Sequence, residues 1–258
     1  MRRYARSPLP SRVQAYVDKK ADEIRSLPGP EEMRRAVGSK WKQARQTKCV
    51  GQGVFGALCS MAGKRERCMY CEDSRGTDID HFRPKSVYPG RVFEWPNMLL
   101  SCSGCQRAKG DRFPMDEAGD PMLIDPTAEE PWQHLYYVSE TGVITARYDK
   151  ATGRQCPKGV ATTELLPLNV EAIAYGRKRT SRRLAQAVRA FLDAQQNRRK
   201  DQCEPEIVGR LRKAVRDCPD YGLSRWYFAA DGRNEEPFSR LEADHPDLFM
   251  ELADAVLI

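Results

Sequence analysis

No apolar run in this 258-residue chain approaches the roughly 18 residues that a helical membrane span requires. The opening Met1-Arg2-Arg3-Tyr4-Ala5-Arg6 is not followed by an apolar stretch resembling a signal peptide, so the expected location is the cytoplasm. The sequence also lacks internal repeats, low-complexity segments and any Gly-x-x-x-x-Gly-Lys-Ser/Thr loop for cradling ATP phosphates. These absences exclude a membrane-spanning helix, a repeat array and a P-loop ATPase. Histidine is scarce, at three residues; His134 and His245 stand away from any sequence cluster, and structural roles are expected for both.

What remains is globular and soluble in composition, with 40% apolar and 31% charged residues. The length suits one large domain, or a small module with helical additions. Net charge is +7 but unevenly placed. Residues 1–63 and 177–200 are strongly basic, 64–112 mildly so, and 113–176 and 201–258 acidic, a pattern that assigns some surfaces to a polyanion and others to a protein. For the basic run at 177–200, a duplex backbone, an acidic partner and a plain solvated face stay open.

Cysteine is plentiful, at nine residues. Four of them form two Cys-x-x-Cys pairs, Cys68/Cys71 and Cys102/Cys105; with no export signal, metal binding is favoured over disulfides. Cys49, Cys59, Cys156, Cys203 and Cys218 lack such spacing and are expected to be reduced thiols.

Periodicity predicts an α+β fold. Ser11 and Gln14 make a capping-box pattern for a helix over 11–26, Pro30 opens a second helix carrying Met33, Val37 and Trp41, and a short apolar helix spans 53–62. Short strands are expected at 77–82 and 98–101, a helix from Gln106 to Asp111, and a hairpin over 134–148. Helices then follow at 170–196, 205–217, 222–230 and 246–256. The long one carries Ile173, Leu184, Val188, Phe191 and Leu192 on one side and Arg177, Lys178, Arg179, Arg182, Arg183 and Arg189 on much of the rest.

Four thiolates in two pairs suit a closed tetrahedral zinc, which stabilises a fold and leaves no open position for water. A redox site needs only one Cys-x-x-Cys, and iron–sulfur cysteines usually have other spacings. Between the pairs, Asp80 offers a hard oxygen ligand for Mg²⁺, and adjacent His81 a neutral base for removing a proton from water. Together they can hydrolyse a phosphodiester, the cation neutralising the phosphate while the imidazole activates the nucleophile.

Cys68-x-x-Cys71, Asp80-His81, Asn97 and Cys102-x-x-Cys105 resemble the HNH endonuclease superfamily with its ββα-metal fold. The wording Asp78-Ile-Asp-His-Phe-Arg-Pro-Lys-Ser86, with Cys102-Ser-Gly-Cys105 through Asp111-Arg112-Phe113-Pro114, is similar more narrowly to the HNH nuclease subunit of Septu-type antiphage systems, a family also found with some retrons. The match covers about 64–126. It implies a nuclease module at 64–126, stapled by the zinc; around it the sequence pattern is read as N-terminal helices over 1–63 packing on the module, a hairpin extension at 127–160 and a partner-binding helical region at 161–258. His81 then matches the general base, Asp80 a ligand of the catalytic Mg²⁺ or Mn²⁺, and Asn97 the residue that orders the loop and aims the base. Gln106 falls where the superfamily usually has His or Asn; its amide oxygen suits a cation, on an altered reach.

Arg83, Lys85, Lys109 and Arg112 are the basic residues expected to position nucleic acid without reading sequence. The resemblance also implies DNA as substrate, RNA remaining open, and a separate ABC-type ATPase in a defence complex. A stand-alone restriction or homing-type nuclease and a catalytically silent zinc module are the alternatives.

Overall fold

The computed structural model describes residues 1–196, 204–216 and 222–257. In helix α1 (Ser11–Arg25), Val13, Val17, Ala21 and Ile24 recur at helical spacing and are buried. The expected capping box does not form. Ser11 already lies inside the helix, and the chain turns at Pro10, whose carbonyl accepts from the N–H groups of Val13 and Gln14, while the Gln14 amide donates to Asp18 instead. Proline's fixed φ supplies the entry that a capping side chain would otherwise give.

Helix α2 (Pro30–Arg45) starts on a proline, has Glu31 and Glu32 in its first turn and Lys42 and Arg45 in its last, the charge order a helix dipole favours, and buries Val37, Trp41 and Ala44. A π-helical turn over Cys49–Val54 leads into α3 (Phe55–Ala62). Glycine at 53 lets this turn press on α1, since a β-carbon there would fall 2.6 Å from a Val13 methyl.

Strands β1 (Asp78–His81) and β2 (Met98–Ser101) pair antiparallel, with Asp78 opposite Ser101 and His81 opposite Met98. Helix α4 (Ser103–Lys109) follows directly. It starts earlier than the expected Gln106 because the Cys102 sulfur accepts from the Cys105 N–H and caps it.

The hairpin forms as expected from β3 (Leu135–Val138) and β4 (Val143–Ala146). A second hairpin of β5 (Tyr148–Asp149) and β6 (Arg154–Gln155), helix α5 (Pro157–Leu165) and a later helix over Phe238–Asp244 escape the periodicity because each is short. Helix α6 (Glu171–Gln196) buries Ile173, Leu184, Val188, Phe191 and Leu192. Arg177 departs from the expected basic face. It is buried, donating to the carbonyls of Gly142 at 2.8 Å and Leu168 at 2.7 Å, and so ties α6 to the hairpin.

The chain closes with α7 (Glu204–Arg216), α8 (Leu223–Ala229), α9 (Phe238–Asp244) and α10 (Pro246–Leu257). Helix α8 is buried from Leu223 to Phe228, with Trp226, Tyr227 and Phe228 in the core and Ser224 and Arg225 buried beside them. His245 has its expected structural setting, edge-on to Phe191 at 5.0 Å. The architecture is α+β, mostly helical with small antiparallel sheets, and one apolar core runs from Met1 to Leu252. Among the described residues no helix is long and apolar enough to cross a membrane. Cys203 and Cys218 lie outside those residues.

Candidate metal centre and active-site cleft

The four paired cysteines converge. Cys68, Cys71, Cys102 and Cys105 are buried with their Sγ atoms all within 4.8 Å of one another, a group that can hold a metal ion. Cys71 and Cys102 sulfurs are 3.9 Å apart, matching the separation of about 3.8 Å that a tetrahedron with Zn–S bonds near 2.3 Å requires. Backbone bonds fix this convergence: Met69 N–H donates to Leu100 O and Thr77 N–H to Ser101 O, so the first cysteine turn is hung on β2, whose end carries the second.

Register separates this centre from the Asp-His pair. Cys102 follows Ser101, which faces Asp78, whereas His81 lies at the far end of β1 opposite Met98. At about 3.4 Å per residue the strand carries His81 on the order of 10 Å beyond the cysteine end.

There, a cleft of about 680 Å³ is lined by Asp78, Asp80, His81, Lys85, Gln106 and Lys109, with Trp41, Lys42 and Arg45 of α2 as its other wall. Asp80 is buried. Its Oδ2 accepts from Tyr70 Oη at 2.8 Å and lies 3.1 Å from Lys109 Nζ. Burial raises the Asp80 pKa, while the Lys109 charge and the Tyr70 hydrogen bond oppose that rise.

His81 is 4% exposed, and its pKa is lowered to about 3, first by burial and then by the charge of Lys85, against the pull of the Val92 carbonyl. Neutral imidazole is therefore the resident form at neutral pH. Because a carbonyl only accepts, the 2.9 Å contact to Val92 O assigns the proton to Nε2 and leaves the lone pair on Nδ1. Trp41 stands edge-on to this ring at 4.5 Å.

Asn97 holds the intervening loop. Its Oδ1 accepts from Arg83 N–H at 2.7 Å, and its Nδ2 donates to the carbonyls of Arg83 at 3.1 Å and Arg91 at 3.0 Å. Arg91 directly precedes Val92, so the amide also sets the carbonyl that orients His81.

The remaining sequence-expected residues divide. Lys85 lines the cleft, and so does Gln106, whose Nε2 is 3.5 Å from Ile79 O. Lys109 is 1% exposed, donating to His81 O at 2.7 Å as well as pairing with Asp80, so it is an interior strut of the cleft rather than a surface cation. Arg83 lies over the rings of Tyr88 and Phe113, at 5.4 and 5.2 Å, and Arg112 is exposed and donates to Ala108 O; neither lines the cleft. Tyr70, Trp41, Lys42 and Arg45 belong to the site without having been singled out for it. Tyr70 had a signal, a polar aromatic inside the first Cys-x-x-Cys; the α2 residues had none beyond their helical face.

The class defined by these features is an α+β protein with a four-thiol metal centre stapling a carboxylate–imidazole cleft. No family model matches the chain. It is 25% identical over 181 residues to Septu protein PtuB of Bacillus thuringiensis, covering 66% of this chain and 65% of that protein. It is also 29% identical over 122 residues to Septu protein PtuB of Bacillus mycoides (strain KBAB4), covering 36% of this chain and 41% of that one. The chain is thus PtuB-like in sequence, and it spans just under two thirds of the first relative's length and less of the second's.

Proposed function

We propose that the protein is a metal-dependent HNH endonuclease that hydrolyses DNA phosphodiester bonds, acting as the nuclease component of a Septu-type antiphage defence complex with an ABC-type ATPase. The observation that carries this reading is the neutral, Val92-anchored His81 beside the buried carboxylate of Asp80 in one cleft that Lys42, Arg45 and Lys85 also line. The likeness to proteins named Septu PtuB supports the assignment to a defence system.

In this reading the cysteine centre holds zinc for structure alone. Asp80 fits a hard cation: Tyr70 and Lys109 both engage Oδ2, which leaves Oδ1 to bind Mg²⁺ or Mn²⁺, with the Gln106 amide oxygen as the second protein ligand. When bound, such a cation would supply charge neutralisation for the scissile phosphate and the leaving 3′ oxygen. His81 Nδ1 accepts a proton from the attacking water, which the neutral ring is free to do, and the Nε2 bond to Val92 O keeps the ring from turning. Lys85 at the cleft and Arg83 and Arg112 beyond it hold the backbone without reading sequence, while residues 161–258 carry the ATPase-binding surface.

Plasmid and RNA substrates incubated with the protein and its ATPase partner, with Mg²⁺, Mn²⁺ or chelator, test the reading. Metal-dependent DNA cleavage abolished by His81→Ala is expected; cleavage that survives the substitution refutes the mechanism. A second reading, a silent nucleic-acid-binding zinc module, draws on Lys109, whose ammonium occupies the carboxylate a cation needs. Binding with no cleavage under either metal, even with the partner, would favour it.

A further inference from the structure

Away from the cleft, the tertiary fold lines up three side chains that the sequence keeps apart. His134 Nε2 is 3.0 Å from Glu129 Oε2, and its Nδ1 is 3.3 Å from the sulfur of Cys156. A carboxylate only accepts, so Nε2 carries a proton and Nδ1 is the atom that exchanges one with the thiol. Glu129 is itself fixed: its Oε1 accepts from the Asp125 N–H at 2.9 Å, and Lys158 Nζ reaches its two oxygens at 3.1 and 2.8 Å.

The sulfur has a second activating neighbour. Cys156 is the N-cap residue of the nine-residue α5, where unpaired backbone N–H groups favour negative charge. Burial works to raise the thiol, but the amides of Gly159 and Lys158, together with His134, bring it below the ordinary cysteine range. It is also partly exposed, unlike Cys59, whose thiol burial pushes up. Among the described residues only the four paired cysteines form a group tight enough for a metal ion, so Glu129, His134 and Cys156 make a linear relay rather than a metal cradle. Nucleophile, base and orienting carboxylate in hydrogen-bond sequence are the parts of an activated thiol.

We propose that Cys156 is a nucleophilic site for small electrophiles of the hydroperoxide class, with His134 as its proton carrier and Glu129 as the residue that orients the imidazole. His134 takes the thiol proton at Nδ1. The thiolate attacks the terminal peroxide oxygen; the S–O bond forms as the O–O bond breaks, sulfur is oxidised by two electrons to a sulfenic acid, and the departing alkoxide takes the proton from His134 and leaves as an alcohol, or as water from hydrogen peroxide. The proposal stands independently of the nuclease reading.

The test uses the purified full-length protein. Iodoacetamide labelling at pH 7, followed cysteine by cysteine by peptide mass spectrometry, should modify Cys156 several-fold faster than Cys49, which is also partly exposed, because the thiolate is the reacting form and His134 and the α5 amides favour it at Cys156. Hydrogen peroxide with dimedone as trap should give a sulfenic adduct at Cys156. His134→Gln should slow Cys156 markedly, toward the rate of Cys49, and Glu129→Gln should slow it less, in samples whose circular dichroism matches wild type. Equal rates for Cys156 and Cys49 in the wild type, or no dimedone adduct, overturn the site whatever the variants do. A folded His134→Gln protein that reacts as fast as wild type overturns the relay.

Discussion

Lys109 and Asp80 form an ion pair in the interior, with Nζ 3.1 Å from Oδ2 and side chains only 1% and 8% exposed. A buried pair of this kind seldom adds much over an apolar substitute, yet losing one partner strands the other charge. The lysine also holds the carbonyl of His81, so one ammonium joins both residues of the candidate reaction pair to the end of α4.

Lys109→Met is therefore expected to destabilise the fold by about 3–5 kcal/mol, measured by urea unfolding. Asp80→Asn combined with Lys109→Met should cost less than the two single changes added together, since the second removes a charge that the first left unpaired. Strict additivity would show that the pair is not coupled.

Zinc loading is the next expected outcome. Elemental analysis should find one zinc per chain, and Cys105→Ser should abolish it and lower the melting temperature. Metal binding to such thiolates is coupled to folding, so strong chelators should also erase the near-ultraviolet dichroism of Trp41 and Trp95. A chelated protein with an unchanged melting curve would contradict a structural metal.

Acid and base should act on Glu129 and His134 in opposite senses. Burial works to raise the Glu129 pKa, but hydrogen bonds from His134 and Lys158 hold it at about 2, below its ordinary 4.5, so its contribution is present above pH 4.5 and fades as pH falls through about 2. The Glu129 hydrogen bond raises the His134 pKa above its ordinary 6.5, so that contribution is complete below pH 6.5 and is lost as pH rises through the raised value. The stability gap between wild type and Glu129→Gln should accordingly be widest between pH 4.5 and 6.5, read from urea midpoints across pH. A gap that keeps widening above pH 8 would reverse the sign argued here.

In the proposed complex, the partner surface lies on the acidic C-terminal region, and α10 carries acidic charges with no basic ones. Asp247 and Asp254 of α10 are exposed. Asp247→Lys with Asp254→Lys should reduce co-purification with the proposed ATPase partner, whereas Asp18→Lys, at an exposed position of α1, should not. Truncation is a poorer test because α8, with Trp226 at 0% exposure, belongs to the core.

Much of the fold was legible because its signals are local. Periodic apolar residues mark α1, α2 and α6, and the hairpin expected over 134–148 is the β3–β4 pair. The start of α4 was misjudged, since a cysteine read as a metal ligand also serves as the helix cap. By its charge Arg177 groups with the basic side of the long helix; only the packing of the β3–β4 turn against α6 supplies the carbonyls that allow its burial.

The sequence by itself determined the chemistry available: two cysteine pairs at metal-ligand spacing, an Asp-His dipeptide between them, and an asparagine at the loop's end. Spacing suffices there because the residues of each pair and the dipeptide are neighbours on one short turn or strand. Which side chains surround them was decided by the tertiary structure alone. Lys109 reaches His81 across 28 positions, and His134 meets Cys156 across 22. The physical reason is the same in both places: a hydrogen bond acts over about 3 Å, and only the folded chain determines which distant residues come within that distance.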